Sequence, residues 1–473
     1  MSQQSPSRAR NPWVVLLSTG LAVFAVFLDT TILFVAFPSI RADFPDVSAS
    51  SLSWVLNAYT IVFAALLIPA GRLADRIGRR RTFLGAVIVF TTASMLCGIA
   101  PTVGLLVLAR ILQAVGAAAL VPASLAMVLQ TFPREKVPVA VAIWGAVGAV
   151  AGAAGPTLGA LVVEHFGWRY AFFINLPVGI VSFMLGRKVL PEGKESNPGR
   201  LPDPLGVVLL ASGLALMAYG IVQTNACGWA SARFIGVELV AVVLVATFLW
   251  RCSRVANPLL DLTLFSSPSF RWANAGTMAY AIGFNAMFLG NVLFLTQVWG
   301  YSIMRAGLAI AVGPSIVAVT APFFGRLAGR IGQRALLIPG GLVWASGGLF
   351  LLARATTSPD YLGQYLPAVC LTGIGVALCL PQLSSAAVQG LPPDQFGSGS
   401  AVNQAIRNLG ATLGVALVVA LTADIAPASA LDAFHRVWWL LVASGLVVTA
   451  LATLLPRTVP RPVAAPRLAE AVH

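Results

Sequence analysis

Apolar runs of about twenty residues follow one another along almost the whole chain, each closed by charged residues or by Pro/Gly turns. About twenty apolar residues is the length that crosses a bilayer as a helix. The pattern predicts spans over 12–38, 51–70, 82–100, 104–130, 138–163 and 170–188. A polar connector, GRKVLPEGKESNPGRLPDP, then precedes spans over 204–223 and 234–251, with Asp203 placed as an N-cap and Pro204 as the first helical residue. Six more follow over 272–299, 305–325, 335–353, 362–389, 399–423 and 435–456. The fold class predicted is all-α integral membrane, with fourteen spans.

The segment GRLADRIGRR at 71–80 returns as GRLAGRIGQR at 325–334, and such duplication in a membrane chain marks a two-lobed transporter. Removing the residues from Asp203 to Cys252 leaves two six-helix halves. The predicted organisation is an N-terminal lobe over 1–188, a connector with two additional helices over 189–252, a C-terminal lobe over 253–456 and a tail over 457–473.

Composition agrees with this reading and charge orients it. With 58% hydrophobic and 10% charged residues, and a mean hydropathy of +0.87, the chain lacks the polar surface of a soluble protein. The net charge of +14 is not a nucleic-acid footprint, because the basic residues sit in short connectors without an aromatic-basic stripe. With the N-terminus inside, 22 of the 30 Lys and Arg fall on the cytoplasmic side and six outside, as positive residues distribute in membrane proteins. Both termini are therefore expected in the cytoplasm, in a cell (inner) membrane. Arg8 and Arg10 precede an apolar run too long for a signal-peptide core, so the first span is expected to be retained. The five cysteines show neither metal-ligand nor disulfide spacing, and no metal or other cofactor is expected.

Five segments, in order and on matching spans, resemble the motifs of the major facilitator superfamily, and within it the fourteen-span drug:proton antiporters. They are LDTTILFVAFP at 28–38, GRLADRIGRR at 71–80, RILQAVG at 110–116, GAAGPTLG at 152–159 and WRYAFFINLPVG at 168–179. The resemblance covers nearly the whole chain and implies the major-facilitator fold. Two residues depart from the motifs: Phe34 stands where the first-span motif usually has Asn, and Ala114 where the fourth-span motif usually has Gly.

Ionisable groups inside hydrocarbon are expensive and point to function. Asp29 in span one and Arg110 in span four lie at similar depths, roughly 13 Å and 9 Å from the outer ends at 1.5 Å per residue. They are the candidate proton-coupling pair, with Gln113 one turn from Arg110 on the same face. Gly145, Gly148, Gly152, Gly155 and Gly159 form a smooth stripe along span five, with Pro156 removing one hydrogen bond. The resemblance makes Gly148, Gly152, Gly155, Pro156 and Gly159 a candidate hinge. It likewise makes Gly71, Arg72, Asp75, Gly78 and Arg79 a cytoplasmic gating latch, in which Asp75 can pair with Arg72 or Arg79. Asn403, Gln404 and Arg407, with Asn408, give span thirteen a polar patch expected to line a central cavity together with Phe34. Glu238, near the start of span eight, is expected to snorkel to the interface.

No GxxxxGK[ST] segment is present, so the driving force expected is the proton gradient. The sequence thus reads as a secondary exporter of lipophilic or amphipathic small molecules by alternating access. Its expected partners are a small-molecule substrate, protons and the lipid bilayer, with no nucleic acid, and it is expected to work as a monomer. A proton-coupled importer is the alternative, against which the fifth-span glycine motif argues. A receptor or intramembrane enzyme would need an output domain or a catalytic cluster, and neither is present in the sequence.

Overall fold

The computed structural model describes residues 11–133, 136–192, 203–392, 395–422 and 430–456. Arg8, Arg10, Arg134, Lys194, Arg200 and the predicted tail at 457–473 lie outside the described residues. The first group of crossings comprises α1 (Pro12–Asp43), the short α2 (Ala49–Leu52) leading into α3 (Trp54–Ile77), α4 (Arg79–Gly98), α5 (Val103–Thr131), α6 (Val137–Phe166), and α7 (Tyr170–Phe173) followed by α8 (Asn175–Val189). Next comes the inserted pair, α9 (Pro204–Cys227) and α10 (Ala232–Cys252). The second group comprises α11 (Pro268–Leu293), α12 (Ile303–Ile331), α13 (Gln333–Arg354), α14 (Leu366–Gln389), α15 (Phe396–Thr422) and α16 (Ala430–Thr453). Among the described residues, thirteen crossings are long and apolar enough to span a membrane as single helices, and α6, bent by 41° between Val139–Gly152 and Ala154–Phe166, makes the fourteenth.

Polar residues at the ends of the apolar runs start these helices. Asn11, Thr102, Asp203, Ser231, Ser267 and Ser302 each accept a hydrogen bond from a backbone N–H of the first turn, satisfying a group the helix leaves orphaned. Helix α1 runs to Asp43, past the end expected at Pro38. A proline four or more residues into a helix deletes one hydrogen bond without ending it when packing holds both sides. Pro38 sits between the buried Phe37 and Ile40, and the helix continues past it to Asp43.

The two copies of the duplicated segment adopt the same structure. Gly78 (φ 121°) and Gly332 (φ 85°) each end one helix and begin the next, and their N–H groups donate to Ala74 O and Ala328 O at 3.0 and 2.8 Å. Positive φ at this joint explains why glycine stands in both copies. Two residues on, Arg80 donates to Arg187 O (2.8 Å) and Arg334 to Leu455 O (2.9 Å). Each arginine thus ties the joint to the last crossing of its own lobe.

The buried core has a polarity of its own. In the half of the molecule farther from the N-terminal end of α1, a single apolar cluster crosses between the lobes, joining Phe34, Val55 and Ala160 to Phe288, Ala306 and Val415. In the nearer half each lobe keeps its own cluster, around Phe63, Phe83 and Phe90 in the first and around Tyr280, Leu337 and Trp344 in the second. Helix α9 packs against both α3 and α15 and so covers the seam between the lobes on one flank. There Ile68 of α3 packs against the cluster that holds Val402 and against that of Phe248, Cys252 and Leu259, on which Val207 and Leu210 of α9 also pack. Helix α10 packs on α9 and turns most of its surface outward.

Glu238 of α10 reaches toward α9. Its Oε1 is buried and would lie 2.4 Å from a Cβ placed on Gly220 of α9. The missing side chain at Gly220 leaves room for this oxygen between the helices, while the residue keeps part of its surface exposed.

Candidate functional site

Asp29 and Arg110 meet in the core of the first lobe. Arg110 Nη1 donates to Asp29 Oδ2 at 2.6 Å and to Gln113 Oε1 at 2.6 Å, and Gln113 Nε2 donates to Asp29 Oδ1 at 2.9 Å. The three side chains close a ring of charge-assisted bonds, the strong kind in a dry interior. Arg110 Nε donates to Val55 O (3.1 Å), and the guanidinium lies 4.0 Å from the ring centroid of Tyr59. The positions follow from helix geometry: Arg110 and Gln113 are one turn apart on α5, which packs directly on α1.

The network contains residues the sequence did not single out. Asn175 Nδ2 donates to Asp29 Oδ1 (3.1 Å) and to Ser94 Oγ (3.0 Å), while Ser94 Oγ donates to Phe172 O (2.8 Å). Asn175 Oδ1 is buried without a partner, and Tyr59 supplies the aromatic face. The one available signal was Asn175 as an amide inside WRYAFFINLPVG, six residues into an apolar span.

The glycine stripe of α6 divides its work. A Cβ on Gly155 would lie 1.9 Å from Thr31 Oγ1, one on Gly159 3.2 Å from Ile32 Cα, and one on Gly148 3.1 Å from the Phe27 ring, so these three receive α1. Gly152 and Gly145 have nothing within 4 Å, and Gly152 sits at the bend, beside Pro156. On the same helix Pro156 O would lie 2.6 Å from a Cβ on Gly307 of α12, so the two lobes approach backbone to backbone there. In α5, where Ala114 replaces the motif's Gly, the close approach falls to Gly116, whose Cβ would sit 2.6 Å from Phe90 N.

In the loop of the first duplicated copy, Arg79 Nε and Nη2 both reach Asp75 Oδ1 at 2.9 Å. Asp75 is thus engaged within its own lobe. Gly71 lies against Pro122 of α5, with 3.5 Å left for a Cβ, and Arg72 stands on the preceding turn of α3.

The polar patch of α15 splits by direction. Asn403 is buried and donates to Asn274 Oδ1 (2.9 Å) and Thr277 Oγ1 (3.0 Å) of α11, so it holds α15 to its own lobe and does not line a cavity. Gly410 and Gly414 face α11 too, while Thr412 hydrogen-bonds Thr60 of α3 across the lobes at 2.7 Å. At 3.6 residues per turn, Gln404, Arg407 and Asn408 occupy the sector between those two directions. All three residues keep some accessible surface although they sit mid-helix. Phe34 is buried against Phe288 at 5.2 Å between ring centroids, in the half where the lobes touch. It forms part of the closure rather than the wall of an open cavity.

A two-lobed helical membrane protein with a duplicated joint and a buried ion pair in one lobe is a secondary-transporter architecture. The model of the Major Facilitator Superfamily matches residues 19–295 and 273–472, and the chain belongs to that family. It is 35% identical over 410 residues to Multidrug resistance protein Stp of Mycobacterium tuberculosis, covering 86% of this chain and 75% of that one. It is 32% identical to the Tetracenomycin C resistance and export protein of Streptomyces glaucescens, with 87% and 76% covered. To the Puromycin resistance protein pur8 of Streptomyces alboniger it is 33% identical, with 88% and 82% covered. Among solved structures, a D-xylose-proton symporter superposes with a TM-score of 0.67 at 15% identity, over 95% of this chain and 99% of that one. The protein is a multi-span membrane transporter whose family moves small molecules.

Proposed function

We propose that this protein exports lipophilic or amphipathic small molecules, antibiotics among them, in exchange for protons. The relatives named for multidrug resistance and for tetracenomycin C export support the substrate class. The observation that carries the coupling is the closed ring of Asp29, Arg110 and Gln113, with Asn175 attached, in a helix pair that the duplication makes half of an alternating-access machine. Protonation of Asp29 removes the charge that Arg110 balances, and the guanidinium must then find other partners, which requires α1 and α5 to move. Release of the proton restores the ring. Gly155 and Gly159 let α1 slide on α6 without a side chain in the way, and the bend at Gly152 and Pro156 gives α6 a place to flex.

The positive-inside distribution supports cytoplasmic termini and a cell-membrane location. With that orientation the joined half of the core faces outward, and the conformation described is the inward-facing one. The joint at 71–81 then lies on the cytoplasmic side, where Asp75 and Arg79 act as a latch on closing. The lobes bury each other, so the monomer is the working unit, with the proton gradient as its driving force and no cofactor.

The test uses everted vesicles acidified inside, to which antibiotics and amphiphiles are added singly while internal pH is followed. Alkalinisation by some compounds, absent with Asp29→Asn, is the expected result. Compound movement that is indifferent to both the gradient and the substitution would remove proton antiport from the reading.

A further inference from the structure

Arg407 is the twelfth of the 27 residues of α15, which sets its guanidinium about 16 Å from the helix start and near the middle of the membrane. A cation at that depth costs roughly 3 kcal/mol on insertion scales, and more on others. For Arg110 a carboxylate offsets the cost. Arg407 has none: among the described residues no carboxylate forms an ion pair with it, and its guanidinium bonds the neutral Oε1 of Gln404. Nor does the described part of the membrane interior hold a carboxylate in reserve. Asp29 is committed to Arg110, Glu238 lies on α10 outside both lobes, and Glu164 accepts from Met304 N at the far end of α6.

The surroundings add donors and no negative charge. The Tyr280 hydroxyl is buried without a partner, on the stretch of α11 level with Arg407, between the contacts of Asn403 with Thr277 and of Gly410 with Ala281, and Asn408 Nδ2 is a buried donor with nothing to donate to. An unmatched guanidinium beside an idle hydroxyl and an idle amide N–H is a site lacking an acceptor. Beyond it, Tyr280, Phe284 and Phe288 follow at i, i+4 and i+8 on α11, with ring centroids 5.7 and 6.0 Å apart, and the strip ends on Phe34 of the other lobe.

We infer that Arg407, Tyr280 and Asn408 bind the acidic group of an aromatic organic monoanion, a carboxylate or an ionised phenol, whose rings lie along Phe284 toward Phe288. This narrows the substrate class of the exporter proposed above and rests on that reading for its transport meaning. The binding itself does not depend on proton coupling, so the two can fail separately.

The probes are pyrenebutyrate and the matching pyrenebutyl-trimethylammonium, which share a ring system and differ in charge. The full chain in detergent is titrated with each, and binding is read from pyrene emission. Wild type is expected to bind the anion at least about tenfold more tightly than the cation. Arg407→Gln should abolish that preference and Arg407→Lys keep part of it, because the charge survives without the fork of donors. Tyr280→Phe, which keeps the ring, should weaken the anion several-fold and decides the matter if Arg407→Gln does not fold. Equal affinity for both probes, no saturable anion binding, or an unchanged preference in the variant that folds would overturn the inference. Anion binding without proton-driven flux would sink the exporter reading and leave this site standing, whereas gradient-driven flux without charge preference would do the reverse.

Discussion

Asp29 and Arg110 hold one another at 2.6 Å with both side chains 1% exposed, although 81 positions separate them in sequence. Desolvating two charges is expensive, so such a pair is weak evidence for stability, but removing one partner strands the other in the interior. Arg110→Ala is expected to destabilise the protein by about 3–5 kcal/mol. Asp29→Asn strands Arg110 similarly, and Asp29→Asn with Arg110→Gln together should recover much of the loss while leaving proton exchange absent. Thermal unfolding of the three variants in detergent checks this. A double variant as unstable as Arg110→Ala would show that shape, not charge, dominates the site.

Thr60 and Thr412 touch across the lobes through their hydroxyls at 2.7 Å, in the half where the core is continuous. If that half must part during transport, cysteines at both positions will form a disulfide that locks it. With Cys227 and Cys370 replaced by Ser, Thr60→Cys/Thr412→Cys should lose transport on oxidation and regain it with reductant. Gly307→Val should act in the opposite sense, because its side chain would meet Ala160 Cβ and Pro156 O and prop the same half apart, at a cost of about 1–3 kcal/mol. Full transport by the oxidised double-cysteine protein would mean that this contact is not broken in the cycle.

The spans, the duplication and the Asp29, Arg110 and Gln113 set were legible because depth in an apolar run and one-turn spacing are local properties. Asn175 was not, because it reaches Asp29 from a third helix and an amide in a span announces no direction. Asn403 and Arg407 show the limit from the other side. Four positions apart, they look alike in sequence, yet a modest turn of the helix sends Asn403 into α11 and leaves Arg407 partly exposed, bonded to Gln404 of its own helix. Pro38 read as a helix end because its missing N–H was weighed without the packing that carries α1 past it. Nothing in the sequence pairs Glu238 with Gly220 on the neighbouring helix, so the contact between them was not legible.

Asp203 caps α9 and is held by Arg251 of α10, which keeps its carboxyl below the ordinary value of 3.8. A carboxylate depressed in the folded state stabilises it above the unfolded value, and that contribution is lost as pH falls through the depressed one. Asp203→Asn keeps a good N-cap but removes the charge. The variant should melt below wild type at neutral pH, and the gap should close as pH falls below the ordinary carboxylate value and through the depressed one. A gap that persists there would assign the effect to cap geometry instead of the ion pair.

The charge of the substrate decides whether membrane potential drives the cycle. With Asp29 as the proton carrier, one proton enters per turn, and a monoanion leaving at Arg407 moves a second charge in the same electrical sense. Each elementary charge crossing 100 mV is worth about 2.3 kcal/mol, so an inside-negative potential should accelerate anion export strongly, whereas exchange of a monocation for one proton would be electroneutral. Proteoliposomes with equal pH on both sides and a valinomycin potassium potential isolate this effect. Pyrenebutyrate movement should follow the sign and size of the imposed potential, and any movement left in Asp29→Asn should respond more weakly, because only the anion's own charge then crosses the field. Movement indifferent to potential in the wild-type protein would contradict either the single-proton exchange or the anionic substrate, and the probe titration identifies which.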